Sequence, residues 1–489
     1  MRMKYLPQYL IGIALLVFIA PGCNKTFLDR NNPGDLTYDK FYKTEADFQG
    51  ALNACYFSLK AQVENLLVFN DGMADNTYEH LYNFTGDLYF FDATNVPATS
   101  STISGMWGAC YRTIAFANTV INKIGASETP EASRKVFIAE AKFIRAYSYF
   151  NLVRIYGGVP KYEDVADIDK VYEVPRASAE EIYDFIISDL VAAQNVDADR
   201  STAQQAKSKG KVSTVAVNAL LGKAYLQRHD FANAVTTLGA IVNGAGLSLE
   251  PDFANLYNAD NPFNQEIILA VNYERISGQN SPFTNLTLPR LSQGILPNVA
   301  ATYGNGNFNI EPYTLASFAP DDARKVLIDS QDILTGADMV RYYYSKKYRD
   351  LGTTASGYSG SDFIILRYAD VLLMYADALN QSGQTDNAYD YLDEVRSRAG
   401  LSPLPAGYSK EQMNDALAQE RQWEFLLEGD RWFDLSYRGF DYLKAKLNAF
   451  FPHSIRVPEA TIEDREILFP LPAAEVDYKP NLLTQNPGY

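Results

Sequence analysis

Apolar residues recur at helical spacing along most of the chain, and polar or aromatic loops separate the runs. In segment 44–60, Thr44 and Asp47 stand in capping-box spacing, and Phe48, Leu52, Cys55 and Leu59 share one face. Segment 106–124 repeats the pattern with Trp107, Tyr111, Ile114, Asn118 and Ile121. Segment 131–160 predicts a longer helix that stops at Gly157, Gly158 and Pro160. Ser178 and Glu181, again at capping-box spacing, open the next one.

Two stretches share an internal period. Leu221, Gly222, Tyr225, Ala234 and Leu238 occupy the offsets of a tetratricopeptide helix pair, and so do Leu372, Ala376, Leu379, Ala388, Leu392 and Val395. Small residues at close-approach sites and large ones at the knobs let paired helices pack tightly. Helical periodicity fades over residues 246–360, where Gly, Asn, Pro and aromatics take over, and again over residues 71–104. Loops this long in a helical domain are usually functional or disordered, and their aromatic content argues for the former. The predicted fold is mainly α, a tetratricopeptide-like scaffold of helix pairs (an α/α superhelix) whose long irregular loops form a ligand-binding surface.

Composition narrows the class. Hydrophobic residues make up 47% and aromatics 13%, enough for a full core. There are 34 tyrosines against 3 tryptophans, and a tyrosine offers an apolar ring with a polar tip. Arg2 and Lys4 precede an apolar run, Leu10–Ala20, that falls short of the roughly 20 residues needed to span a bilayer but suits a signal peptide. The run leads to Cys23 in the manner of a bacterial lipoprotein signal, which makes Cys23 the expected lipidation site. The formal net charge is −16, and removing residues 1–22 makes it more negative. Nucleic acid, which needs clustered Lys and Arg, is therefore not an expected partner. Cys55 and Cys110 lie on apolar helix faces and read as buried free thiols in preference to a disulfide. His80, His229 and His453 fit no zinc spacing, and the acidic run 257–266 lacks EF-hand spacing, so no metal or cofactor is expected.

The densest chemistry is ERQWEFLLEGDRWFDLSYRG, Glu420 to Gly439. Continued as a helix, it aligns Glu420, Glu424 and Glu428 in one stripe within reach of Arg421 and Arg431. A retaining glycosidase needs carboxyls about 5–5.5 Å apart facing one another across a bond. Carboxylates on one helix face are neighbours instead. Trp423, Phe425, Leu426, Leu427, Trp432, Phe433 and Leu435 surround them with apolar bulk, so pairing with arginine is the expected state.

Residues 139–160, 367–380, 392–401 and 467–489, together with 420–439, resemble signatures of the SusD/RagB family of outer-membrane glycan-binding lipoproteins. The likeness runs from Cys23 to Tyr489. It implies a signal peptide (1–22), an N-terminal helical region (23–245) and a C-terminal region (246–489) that includes loops 246–360, together one compact domain. It further implies a non-catalytic, lipid-anchored, cell-surface protein of the outer membrane, one that binds oligosaccharide and delivers it to a SusC-like TonB-dependent transporter. The rival readings are a surface glycoside hydrolase on a helical scaffold and a repeat scaffold for outer-membrane assembly that binds no sugar. A sugar ring needs an exposed aromatic platform edged by polar side chains on adaptable loops. The expected glycan contacts are Asp75, Asn76, Tyr78, Tyr82, Phe91 and Asn95 from the first loop. From the second they are Tyr303, Asn305, Asn307, Phe308 and Tyr313.

Overall fold

Thr44 opens helix α1 (Glu45–Leu67): its hydroxyl accepts from Asp47 N, and the Asp47 carboxylate accepts from Thr44 N at 2.8 Å, a complete capping box. In the computed structural model the described residues are 42–79, 86–164, 173–194, 196, 210–244, 246–290, 295–300, 303–335 and 337–489. The signal segment, Cys23, His80 and Tyr82 lie outside them. Helices α2 (Gly86–Asp92), α3 (Ser101–Lys123), α4 (Glu131–Tyr156) and α5 (Ala179–Ala193) follow. From Phe137 onward α4 is buried on nearly every side, the mark of a central helix. Helices α1, α3 and α5 pack around it. Cys55 and Cys110 are free and buried in these helices, and burial pushes the Cys55 thiol up to about 12. Trp107 is likewise a packing residue, against Tyr111 and Tyr156.

The two repeat units form helix pairs: α6 (Thr214–Gln227) with α7 (Phe231–Gly244), and, further along, α9 (Tyr368–Gln381) with α10 (Thr385–Arg398). Gly222 is small for a reason, since a Cβ there would collide with the Leu238 side chain. The long segment between the pairs leaves the scaffold and returns, and α7 packs directly on α9. That segment contains short antiparallel ribbons. Strand β1 (Thr77–Tyr78) pairs with β3 (Asn309–Ile310), and β2 (Ile267–Val271) with β6 (Phe363–Arg367). Strands β4 (Ile328–Thr335) and β5 (Asp338–Ser345) make a hairpin. Helix α8 (Pro312–Ser317) follows β3, and α11 (Lys410–Glu424), α12 (Arg431–Tyr437), α13 (Phe440–Phe450) and α14 (Ala473–Tyr478) complete the chain. The protein is mainly α, a tetratricopeptide-like scaffold carrying long loops.

The acidic stripe differs from its sequence reading first at its C-terminal end. Helix α11 stops at Glu424, and residues 425–429 form a turn with Leu427 at φ 62° and Gly429 at φ 76°. The left-handed conformation costs a leucine roughly 1–2 kcal/mol. The buried Asp71 carboxylate offsets that cost by accepting from Leu427 N and Gly429 N, both at 2.9 Å. Glu428 therefore leaves the helix, yet Arg367 still gathers it with Glu424: Nη1 reaches Glu424 Oε1 at 2.7 Å, and Nε reaches Glu428 Oε2 at 2.9 Å.

The bases that meet the acids are not Arg421 and Arg431, as the spacing suggests. Arg324, Arg367, Arg396, Arg398 and Lys347 come from elsewhere and balance Glu266, Asp322, Glu420, Glu424 and Glu428 one for one. Arg421 instead holds Asp370, Asp430 and Asp434, and Arg431 grips Asp75. All of these carboxylates are paired with bases, and all but the half-buried Glu428 and Asp430 are buried. They cement helices.

Candidate functional site

Three sequence-distant segments meet on one surface. The chain after α1 pairs through β1 with β3, and Glu311 N donates to Asn76 O at 3.0 Å, while Thr314 Oγ1 donates to Asp75 O. The third segment is 451–457, just beyond α13. Its Ser454 Oγ donates to Glu311 Oε1 at 2.8 Å, and Ile455 N donates to Oε2 at 3.4 Å. Ser454 Oγ in turn accepts from Arg456 N and Val457 N, both at 3.3 Å, which fixes the turn.

That turn carries the underside of two exposed rings. Tyr313 on α8 is 44% exposed and stacks on His453, with ring centroids 4.5 Å apart and planes 5° apart. Tyr89 on α2 is 42% exposed, with the Arg456 guanidinium 5.5 Å from its centroid, within cation–π range. Arg456 is held by Glu79 at 3.2 Å and Asp92 at 3.0 Å, and Glu79 N donates to Asp92 Oδ2. His453 and Arg456 are three residues apart, so their Cα atoms are at most roughly 11 Å apart. Two aromatic faces held to one short segment, with exposed Ile455 between their supports, make a candidate platform. Such a surface can cover the apolar C–H faces of consecutive sugar rings and leave their hydroxyls to side chains and water.

Glu311 gives this frame a pH signature. Burial pushes its carboxyl up to about 7, against the opposing hydrogen bonds from Ser454 and Ile455. A carboxyl raised above its unfolded value of 4.5 contributes most below that value, and the contribution is lost as pH rises through 7. Glu311→Gln keeps the shape and removes the titration. Its melting temperature relative to the parent protein will rise steadily from pH 5 to pH 8; a constant difference across that range would contradict the assignment.

The expected contacts separate by burial. Asp75 is buried in a two-bond grip on Arg431, Nε–Oδ1 and Nη2–Oδ2 both at 2.7 Å. Asn76 Nδ2 donates to Asp71 Oδ1 at 2.7 Å, and Asn76 Oδ1 accepts from Gln422 Nε2 at 3.2 Å. Tyr78 stacks on Tyr342 beneath the β-ribbon, Phe91 sits between Phe69 and Phe469, and Phe308 belongs to the main core. Burial takes the faces of these five residues out of solvent, so they frame the surface without presenting it. Asn95 and Asn305 are exposed, and Asn307 is half-buried. Tyr303 is half-buried in a small cluster with Leu288, Leu296 and Tyr344, and its hydroxyl donates to Gly357 O at 3.2 Å. Among the described residues, Tyr313 is the one expected ring that is prominently exposed. Tyr82 lies outside the described residues.

Sequence reasoning misses Tyr89, His453 and Arg456. Tyr89 lies inside the first loop as read from the sequence, where α2 turns it outward and its neighbour Phe91 inward. His453 and Arg456 follow a helix rather than a long loop, and nothing local marks them as partners of rings more than a hundred residues away.

Comparison with known proteins agrees with this architecture. Residues 332–489 match the model of the SusD family, and residues 26–226 match that described as "Starch-binding associating with outer membrane". A SusD-like protein, P2, of Formosa agariphila is 26% identical, over 99% of this chain and 100% of that protein. A laminarin-binding SusD-like protein of known structure superposes with a TM-score of 0.77 at 25% identity, covering 92% of this chain and 100% of its own. A SusD-like protein of Bacteroides fragilis gives 0.77 at 20% identity over 93% and 99%. Matches to both ends of the chain, full-length relatives and a shared helical scaffold together place the chain in the SusD/RagB family.

Proposed function

We propose that this protein is a cell-surface lipoprotein that captures oligosaccharide without cleaving it and passes it to a TonB-dependent outer-membrane transporter. The observation that carries the reading is the pair of exposed rings, Tyr89 and Tyr313, each backed by a charged or imidazole side chain of one turn. The laminarin-binding relative supports a glycan as ligand. Asn95, Tyr303, Asn305 and Asn307 are the proposed polar and ring-edge contacts around the platform, and Tyr82 is kept as a further proposed contact. The acids of 420–434 are all paired with arginine or lysine and mostly buried, which argues against the hydrolase reading in that stretch. Attachment through Cys23 and delivery to the transporter follow from the lipoprotein-like signal and the family.

Incubating the chain lacking residues 1–23 with immobilised and soluble glycans tests binding and cleavage together. The expected result is retention on at least one polysaccharide, with no change in the length of its oligosaccharides. Shortened oligosaccharides would establish the hydrolase, and no retention on any glycan would favour the assembly scaffold.

A further inference from the structure

A cavity of about 250 Å³ shares none of the platform's residues. We propose that it is a second carbohydrate site, taking a single neutral sugar ring.

Its wall is aromatic. His229, in the turn between α6 and α7, adopts φ 62°, a left-handed conformation that histidine tolerates better than most L-residues. The imidazole stacks on Phe231 with centroids 5.5 Å apart and planes at 29°, and meets Tyr437 of α12 edge-on at 5.5 Å. Its Nε2 lies 3.2 Å from Tyr437 O. The turn thus fixes a ring in place where a glycine would relieve the backbone.

The facing rim is polar and partly uncommitted. Gln381 Nε2 donates to Asn414 Oδ1 at 3.1 Å, and Arg438 Nη1 donates to the same oxygen. This leaves Gln381 Oε1 as an acceptor and Asn414 Nδ2 as a donor. Lys410 Nζ donates to Gln381 O at 3.0 Å and has two further hydrogens to offer. Tyr437 and Arg438 close the cavity's inner side, with Tyr437 Oη and Arg438 Nε turned away from it into the protein.

Charge selects the ligand class. Arg438 is neutralised by Asp377 at 2.7 Å and Asp434 at 3.7 Å, and Lys410 sits beside Glu411. With Glu411 offsetting Lys410 electrostatically, the lining has no net positive charge to select a phosphate, sulfate or uronate. An aromatic wall opposite amides and an ammonium matches a pyranose, apolar on one face and hydroxylated at its edge.

The test is saturation-transfer NMR on the chain lacking residues 1–23 and carrying Tyr89→Ala and Tyr313→Ala to silence the platform. The probes are the methyl glycosides of glucose, galactose, mannose and xylose, each at millimolar concentration. At least one should show transfer in this background, falling fivefold or more when Phe231→Ala or Gln381→Leu is added to a protein that still melts cooperatively. Two variants guard against one failing to fold. The proposal is overturned if no glycoside shows transfer, or if both added substitutions leave transfer unchanged. Transfer seen only with the platform intact would also overturn it, while leaving the platform's own role standing.

Discussion

Arg367→Met will lower stability by about 3–5 kcal/mol, the usual cost of removing one partner from a buried ion pair. Arg367 is 1% exposed and bonds Glu266 and Glu424, each at 2.7 Å, and Glu428 at 2.9 Å, with its guanidinium 4.3 Å over the Phe425 ring. Methionine fills much of the volume but leaves three buried carboxylates to fewer cations. Burial pushes the Glu424 carboxyl up, yet Arg398, Arg367 and Arg324 outweigh it and hold the group well below the usual range. A lowered carboxyl contributes stability above its unfolded value, and the contribution is lost as pH falls through the folded one. The penalty in the variant will therefore be full at pH 7 and shrink towards pH 4–5, where the stranded acids can take up protons. Urea denaturation at the two pH values measures both effects; a loss under 1 kcal/mol at pH 7 would mean the remaining cations suffice.

Tyr313→Ala and Tyr89→Ala will each weaken glycan binding about tenfold or more, equivalent to roughly 1.4 kcal/mol, and leave the melting temperature nearly unchanged. Both rings are more than two-fifths exposed, so little core is lost with them. Tyr313→Phe keeps the face that stacks on His453 and should retain most of the affinity. Phe91→Ala behaves in the opposite way: it opens the cluster with Phe69 and Phe469 and costs several kcal/mol of stability. Affinity electrophoresis beside thermal melts separates the two outcomes. Unchanged retardation in the Tyr89→Ala/Tyr313→Ala double variant would remove the platform from the binding surface.

The helical scaffold is legible in the sequence because its signals are local. The capping boxes at Thr44 and Ser178 and the Gly222–Leu238 contact follow from spacing alone. Pairing of the 420–434 acids with arginine is legible too, since charges amid so much apolar bulk must be neutralised. Which arginines do this is not, because Arg324, Arg367 and Arg398 arrive from other elements. The loop picks fail to distinguish platform from frame for the same reason. Asp75 and Asn76 look like polar loop residues, yet Arg431 and Gln422 claim them from 356 and 346 residues away. His453 becomes half of a stack only when α8 folds against the end of α13.

Those long spans also set an order of events in time. Asn70, Asp71 and Asp75, near the start of the scaffold, receive bonds from Phe433 N, Leu427 N and Arg431. Close to the last residue, Asn486 Nδ2 donates to Tyr156 O at 3.1 Å, while Arg176 holds Thr484 O and Asn486. Each half thus takes part of its hydrogen bonding from the other, and until they meet those carboxylates and carbonyls are bonded to water. Contacts of such sequence separation slow folding. A chain of this design relies on its late segments to complete its early ones, so a cut after α10 would strand Asp71 and Asp75 without Leu427 N and Arg431.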